Sequence, residues 1–167
     1  MVFPLRTSDM TTLDDAMKKT PQEIKITQRM QPGVLTLNGF LGEDKRDFPQ
    51  IIEDDAKTLE TLGVSAEEVG NRLDYFQKQS FESFQGPIII DEIYEVETDV
   101  VRGFLPCPFM HRGLLRKAIT TVKNLKSGKS FRYTAMNVHM IRAHGFFEGK
   151  GSKFRLEPEE VVKELLL

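Results

Sequence analysis

The chain has 167 residues, of which 40% are hydrophobic and 29% charged, and its 25 acidic and 23 basic side chains give a net charge of −2. A chain of this length and apolar content folds as an ordinary globular unit, which excludes a disordered or collagen-like protein. The single cysteine excludes an internal disulfide, and the opening residues lack the basic stretch and apolar run of a secretory signal, so we expect a reducing, cytoplasmic compartment.

The first forty residues predict a helical arm, a turn and a short strand. Thr20 and Glu23 have the spacing of a capping box that begins a helix, and a similar start at Thr12 would lengthen the arm. The sequence Gln31-Pro32-Gly33 is typical of a turn. The apolar run 34–37 then predicts a strand.

Two consecutive helices are predicted after this strand. Asp47 can cap a helix over 48–62, and Gly63 is typical of its left-handed end. A capping box that begins at Ser65 starts the second helix, whose apolar residues repeat at helical spacing as far as the stop at 86–87. We expect the two helices to pack as an antiparallel pair.

A hairpin and a basic helix are predicted next. The run 88–96 predicts a strand, residues 97–99 a turn, and 100–105 the return strand. Pro106 ends the pairing because it cannot donate a ladder hydrogen bond. Apolar residues at helical spacing over 112–127, with Lys and Arg between them, then predict a helix.

The C-terminal segment predicts a capped helix and a second hairpin. Thr134 can cap a helix over 135–144 that ends at a glycine, although the run 132–144 also fits a long strand with patchy alternation. Two short strands around the Gly-rich tip 149–152 form the predicted hairpin. A closing helix is predicted over 158–166.

Together these elements predict the α+β class, with a helical pair, short antiparallel hairpins and a C-terminal helix–helix–hairpin segment. Residues 1–99 carry 10 bases and 20 acids, whereas residues 100–167 carry 13 bases and five acids. Either the acidic and basic portions cancel, within the fold or between subunits, or the basic portion offers an open face to phosphates or nucleic acid. The sequence has no long linker between them, so we expect one compact unit.

The order of elements in the basic portion resembles the winged helix-turn-helix family. The resemblance rests on residues 134–146, TAMNVHMIRAHGF, which follow a basic helix and a turn, and on the wing-like residues 149–156. It implies that three side chains contact base edges in a DNA major groove and that four contact phosphates. The first group is Asn137, His139 and Arg142, and the second is Lys129, Arg132, Lys150 and Lys153.

All three histidines and the only cysteine lie close together in sequence, as Cys107-x3-His111 and His139-x4-His144. Thiolate and imidazole suit zinc or another divalent transition metal, with all four residues or with two or three of them and Glu148 as ligands. Residues five apart on a helix point about 140° apart, which argues against His139 and His144 sharing one ion. Cys107 with His111 as base would instead be a thiol nucleophile, and a packed cysteine with ordinary polar histidines is the remaining alternative.

The hypothesis that the sequence favours is therefore a small binding protein without a cofactor, whose basic C-terminal face engages nucleic acid or another polyanion. Two alternatives stay open: a metal-assisted or thiol enzyme centred on the cysteine and histidines, and a self-assembling protein whose acidic and basic faces meet in a homo-oligomer. The longest apolar runs are far shorter than the roughly 20 residues of a membrane helix, so no membrane span is expected.

Overall fold

The computed structural model describes residues 18–83 and 86–167. Five helices and four strands lie in this part of the chain, so the protein belongs to the predicted α+β class. The helix start predicted at Thr12 falls outside the described residues. The second predicted helix, expected to run as far as the stop at 86–87, ends earlier, at Phe81. In chain order the elements are α1 (Pro21–Arg29), α2 (Phe48–Leu62), α3 (Ala66–Phe81), β1 (Ile88–Ile90), β2 (Tyr94–Pro106), β3 (Leu114–Asn124), β4 (Ser130–Thr134), α4 (Ala135–His144) and α5 (Pro158–Leu165).

Capping residues set the helix boundaries close to where the sequence predicts them. Thr20 and Ser65 each form a complete capping box, and the Asp47 side chain caps α2. Thr134 caps α4, which ends at Gly145 in the left-handed conformation. Residues 135–144 are therefore helical, as predicted, and do not form the alternative long strand. The caps stabilise this helix because they satisfy backbone groups that a helix end leaves unpaired.

The four strands form one antiparallel sheet in the order β1-β2-β3-β4. Helices α3 and α4 pack against one face of this sheet, and α5 packs against α2 and α3. Buried hydrogen bonds join the layers: Tyr133 Oη donates to the Leu73 carbonyl of α3, and Tyr94 Oη and Asn124 Nδ2 both donate to the Glu164 carbonyl of α5. Helix α3 packs mainly against α4 and the sheet, and α2 packs mainly against α5. The two helices do not form the antiparallel pair that the sequence predicts.

Buried apolar side chains form two clusters, and α4 contributes to both. The first cluster lies between the sheet and the helices and contains Val138 and Ile141. The second lies against α1 and α2 and contains Met136 and Met140. A helix with apolar side chains on more than one face is one that the fold surrounds. Helix α4 is therefore the central element.

The helix predicted over 112–127 is wrong, because these residues contain strand β3. Ala118 and Val122 lie four residues apart, a spacing that shares one face in a helix and also in a strand. The run of four β-branched residues from Ile119 to Val122 favours the strand. In β3 the side chains of Ala118, Thr120 and Val122 alternate with less buried neighbours.

The hairpin turn lies earlier than predicted. Asp91 and Glu92 both have left-handed backbone angles, with φ of 53° and 60°. Ile93 N–H donates to the Ile90 carbonyl at 3.2 Å, so these four residues form a type I′ turn between β1 and β2. The predicted turn and return strand, over 97–105, belong instead to the single strand β2.

The predicted wing does not form in residues 146–157, which the structure describes in full and which contain no strand. The backbone of this segment pairs with the loop before α2: Gly149 N–H donates to the Phe40 carbonyl, and Glu43 N–H donates to the Lys150 carbonyl, both at 2.9 Å. The backbone bonds within the segment are short-range turns, from Ser152 N–H to the Gly149 carbonyl and from Arg155 N–H to the Ser152 carbonyl, and not cross-strand pairs. With β3 in place of a helix as well, the helix–helix–hairpin order that the winged-helix resemblance requires is not the order of the structure.

The strand predicted over 34–37 is also wrong. Gly33 N–H donates to the Thr36 carbonyl at 2.8 Å, and Gly39 N–H donates to Thr36 Oγ1 at 3.0 Å, so turns replace an extended segment. The change in charge near residue 100 falls inside strand β2 and does not coincide with a linker. None of the helices in the described part of the chain has the length and apolar character that a bilayer crossing requires.

Candidate metal centre

Cys107 lies in a tight turn directly after β2 ends at Pro106. Met110 N–H donates to the Cys107 carbonyl at 3.1 Å, and Met110 itself has a left-handed φ of 68°. Arg29 of α1 holds the turn, because its Nη2 donates to the Cys107 carbonyl at 2.7 Å and its Nε to the Pro108 carbonyl at 3.2 Å. Cys107 is buried, and these hydrogen bonds hold the backbone of its turn in place.

His139 and His144 reach the same place from α4. Their ring centroids are 5.3 Å apart, so the prediction that their positions on the helix keep them apart is wrong. That prediction considers only the Cα–Cβ directions, whereas side-chain torsions move each ring several ångströms from its Cβ. His144 is the last helical residue, and its ring lies flat against Phe109 with centroids 4.1 Å apart, which directs it to the Cys107 turn.

The three side chains present a compact set of ligand atoms. One ligand atom each from Cys107, His139 and His144 lie within 4.8 Å of one another, and Cys107 Sγ is 3.6 Å from His144 Nε2. A sulfur at about 2.3 Å and a nitrogen at about 2.05 Å from a tetrahedral zinc ion are separated by about 3.6 Å. In the structure this contact is a hydrogen bond between the thiol and the imidazole, and its length also matches the spacing of two ligands on one zinc ion.

His139 also carries an unsatisfied polar atom. Across residues 18–83 and 86–167, its Nε2 is the only buried side-chain nitrogen or oxygen without a hydrogen-bond partner. Buried polar atoms in folded proteins nearly always have a partner, so such an atom calls for an explanation. A ligand that the protein binds would supply one.

Burial keeps the two helix histidines neutral. Loss of water contact, with His111 and His139 nearby, lowers the pKa of His144 to about 4, and burial also lowers the pKa of His139. Both rings are therefore neutral at pH 7 and each keeps one nitrogen lone pair, the kind of ligand atom that a metal ion binds. Burial raises the pKa of the Cys107 thiol, while the backbone amides of Phe109 and His111 act in the opposite direction. A metal ion bound here would displace the thiol proton.

His111 lies on the solvent side of this set. Its side chain is exposed, and its ring centroid is 4.4 Å from that of His144 and 5.2 Å from that of His139. The structure thus brings together all four residues that the sequence singles out for metal binding. Cys107, His139 and His144 form the compact part, and His111 lies beside it.

The residues that the winged-helix resemblance assigns to base contacts do not share an open surface. Asn137 is buried and donates from Nδ2 to Glu148 Oε2 at 2.8 Å, and Glu148 is not among the ligand atoms of the cluster. His139 belongs to the cluster, and Arg142 forms an ion pair with Asp74 at 3.1 Å. The four residues assigned to phosphate contacts are exposed: Lys129, Arg132, Lys150 and Lys153. They lie in and before β4 and after α4, and nucleic-acid binding stays a prediction.

Ion pairs within the fold neutralise part of the opposite charges of the acidic portion, residues 1–99, and the basic portion, residues 100–167. Of the twelve bases in 100–156, two form ion pairs with acids of the first 99 residues among the described part of the chain, namely Arg142 and Arg155. On the open face of the sheet, the register places Glu95 of β2 opposite Lys123 of β3. Mixed signs on that face disfavour a continuous basic surface there.

Two residues that position the cluster are not indicated by any sequence pattern. Arg29 is 78 residues from Cys107, and Phe109 makes edge contacts with Phe48 and Phe146 at 5.6 Å in addition to its stacking on His144. An arginine at the end of an amphipathic helix and a phenylalanine between apolar residues are both ordinary. Only the spatial contacts reveal what these side chains do.

The comparisons with known proteins do not add a family to this geometry. A scan against models of protein families, a search of curated proteins and a search of solved structures each found no significant match to this chain.

Proposed function

We propose that this protein binds a divalent transition metal ion, preferentially Zn²⁺, through Cys107, His139 and His144. The observation that carries the proposal is the convergence of a thiol and two neutral imidazoles within 4.8 Å, with the Sγ–Nε2 distance of 3.6 Å. A bound ion would also give the unpaired His139 Nε2 a partner, which the hydrogen bond between Cys107 and His144 by itself does not.

The chemistry of the donor set favours zinc. One sulfur and two imidazole nitrogens are borderline-soft ligands, which zinc accepts in tetrahedral geometry, whereas calcium and magnesium require oxygen ligands. Nickel and copper also accept such ligands, so the identity of the metal in the cell depends on supply as well as on affinity.

The fourth coordination position would face solvent. His111 is exposed beside the other three residues, and its ring is close enough to the rings of both helix histidines for a change of rotamer to bring it onto the ion. With His111 bound, the site has four protein ligands, as structural zinc sites do; with water there, it has the open position of catalytic sites.

Cobalt substitution and zinc titration test this proposal. Chelator-treated protein is titrated with Co²⁺ and then with Zn²⁺, and the absorption of the thiolate–cobalt charge-transfer band is recorded with the calorimetric heat. We expect one ion per chain and a charge-transfer band, because Cys107 is the only thiol. Cys107→Ser should remove the band and lower zinc affinity by more than the roughly 10- to 100-fold typical of losing a residue that only hydrogen-bonds a ligand.

The matched variants separate ligands from neighbours. His139→Gln and His144→Gln should each weaken binding strongly, whereas His111→Gln should retain the charge-transfer band because three ligands remain. Met110→Leu, an exposed residue of the same turn, serves as the control and should bind zinc as the wild type does. Absence of a one-to-one complex, or a Cys107→Ser variant with unchanged affinity, would show that the cluster is not a metal site.

A further inference from the structure

A cleft of about 200 Å³ opens where β3, the beginning of α4 and the turn before Phe40 meet. None of the cysteine and histidine side chains of the candidate metal centre lines it. Its walls are mainly apolar, with contributions from Leu37, Phe40, Leu105, Leu115, Ile119 and Phe154. Small-molecule sites in proteins have this character: an apolar lining with a few polar groups that orient the ligand.

Two lysines give the cleft a positive charge. Lys117 of β3 and Lys153 line it, and neither has a carboxylate oxygen within 4.0 Å in the part of the chain that the structure describes. Arg116 lines the cleft as well and adds a third cation; its guanidinium lies 5.9 Å from the centre of the Phe81 ring, and the Lys153 ammonium lies 5.4 Å from the centre of the Phe154 ring. A ligand in the cleft would therefore meet three cations, two of which are the lysines Lys117 and Lys153.

No lining acid offsets these lysines. Glu148 is the only acidic residue among the described lining residues. Its two carboxyl oxygens accept hydrogen bonds from Asn137 Nδ2 and Ser152 Oγ, so the carboxyl is held by the protein. Burial also raises the pKa of Glu148 to about 7, which reduces its negative charge near neutral pH. An anion in the cleft would therefore meet little repulsion.

The first residues of α4 add to the attraction for an anion. Thr134, Ala135 and Met136 line the cleft, and the Thr134 side chain caps the N–H of Asn137, which leaves the first two amides of the helix without a side-chain cap. The N-terminus of a helix carries a partial positive charge, and α4 has ten residues over which peptide dipoles add. This field has the same sign as that of the two lysines.

We propose that this cleft binds a small organic anion, an apolar body with a single carboxylate or phosphate group. The apolar body would lie against the Leu115, Ile119 and Phe154 side chains, and the anionic group would lie at Lys117 and Lys153. A volume of about 200 Å³ is below the roughly 300 to 1,000 Å³ of pockets for drug-sized ligands, so the body is short. The site is independent of the candidate metal centre.

Ligands of equal chain length and different charge test this inference. Amide chemical shifts of ¹⁵N-labelled protein are followed during titration with hexanoate, hexyl phosphate, hexylamine and hexanol. We expect saturable shifts at Gly39, Lys117 and Ala135 with the two anions, and weaker or no shifts with the amine and the alcohol. The relative affinities of hexanoate and hexyl phosphate decide which anionic group the cleft prefers.

Lysine variants locate the anionic group. Lys117→Ala and Lys153→Ala should each weaken hexanoate binding by up to about fivefold, the size expected for one exposed ion pair. Lys123→Ala, an exposed lysine of the same strand that does not line the cleft, is the matched control and should leave the affinity unchanged. Ala135→Phe, which places a ring in the cleft, should abolish the shifts in a protein whose other resonances are retained.

Three results would overturn the inference. The first is no saturable shift up to the solubility of hexanoate. The second is hexylamine or hexanol binding as tightly as hexanoate, which would make the site apolar without charge selection. The third is an equal loss of affinity in Lys123→Ala, which would indicate attraction to the whole protein and not to this cleft.

Discussion

Glu148 combines burial, an uncommon backbone conformation and a displaced protonation equilibrium. It is only 3% exposed, and its φ of 69° lies in the left-handed region that residues other than glycine rarely adopt. Burial raises its pKa to about 7, although hydrogen bonds from Asn137 and Ser152 and the charge of Arg155 act in the opposite direction. The fold therefore favours the neutral carboxyl.

The free energy of unfolding should consequently fall as pH rises from about 4.5 to about 7. Over this range the folded protein keeps a proton on Glu148 that the unfolded chain has lost, so stability falls by about 1.4 kcal/mol per pH unit, or about 3 kcal/mol in total. Glu148→Gln, which has an acceptor for Asn137 and a donor for Ser152, should remove this part of the pH dependence. Urea unfolding at pH 4.5, 6 and 8 measures the effect, and parallel wild-type and variant curves would contradict it.

At the scale of elements, the close contact between α3 and α4 depends on one glycine. A Cβ atom on Gly70 would lie 2.6 Å from Arg142 Cβ and 3.0 Å from Arg142 Cα. The two helices are therefore so close at this position that only glycine, which has no side chain, fits without a shift. Helix α4 cannot easily move away, because its Met136 and Met140 are packed in the second apolar cluster. The contact therefore sets how closely α3 approaches α4, the helix that carries His139 and His144.

Gly70→Ala should destabilise the protein by about 1 to 3 kcal/mol, the usual cost of overpacking. This sign is opposite to the helix-propensity effect, which favours alanine over glycine by about 1 kcal/mol in a helix interior. Asn71→Ala, at the exposed neighbouring position of α3, is the matched control and should be neutral or slightly stabilising. Chemical denaturation of the three proteins decides between the two effects, and a Gly70→Ala variant more stable than the wild type would show that the helices are free to separate.

At the scale of the whole molecule, a metal ion at the cluster would connect parts that are distant in sequence. Cys107 follows β2, whereas His139 and His144 lie on α4, and Arg29 of α1 holds the cysteine turn. An ion bound by the folded chain and not by the unfolded chain stabilises the fold in proportion to the logarithm of its concentration. Metal binding should therefore be visible in global unfolding.

Zinc at about 100 times its dissociation constant should add about 2.7 kcal/mol to the free energy of unfolding. For a protein of this size that corresponds to a rise in Tm of about 5 to 11 °C. Differential scanning calorimetry with and without zinc measures the shift, and Cys107→Ser should show little of it. An equal shift in wild type and variant would place the stabilising metal elsewhere.

Local sequence patterns determined where four of the helices begin. Thr20, Asp47, Ser65 and Thr134 cap helices where the sequence predicts them, because a cap is an interaction between residues two or three positions apart. The same local information was insufficient over 112–127, since side chains four residues apart share a face in helix and strand alike. Pairing with β2 and β4 decided the strand.

The sequence by itself therefore determined the α+β class and the starts of four helices, and it singled out the cysteine and histidines as one alternative among several; all of these depend on residue type and short spacing. Tertiary structure alone decided the sheet, the loss of the predicted wing and the convergence of His144 with Cys107 at 3.6 Å. The physical reason is that these features depend on contacts across long stretches of chain, such as that of Arg29 with the Cys107 carbonyl. Such contacts are selected by the packing of the whole core, which a local pattern does not contain.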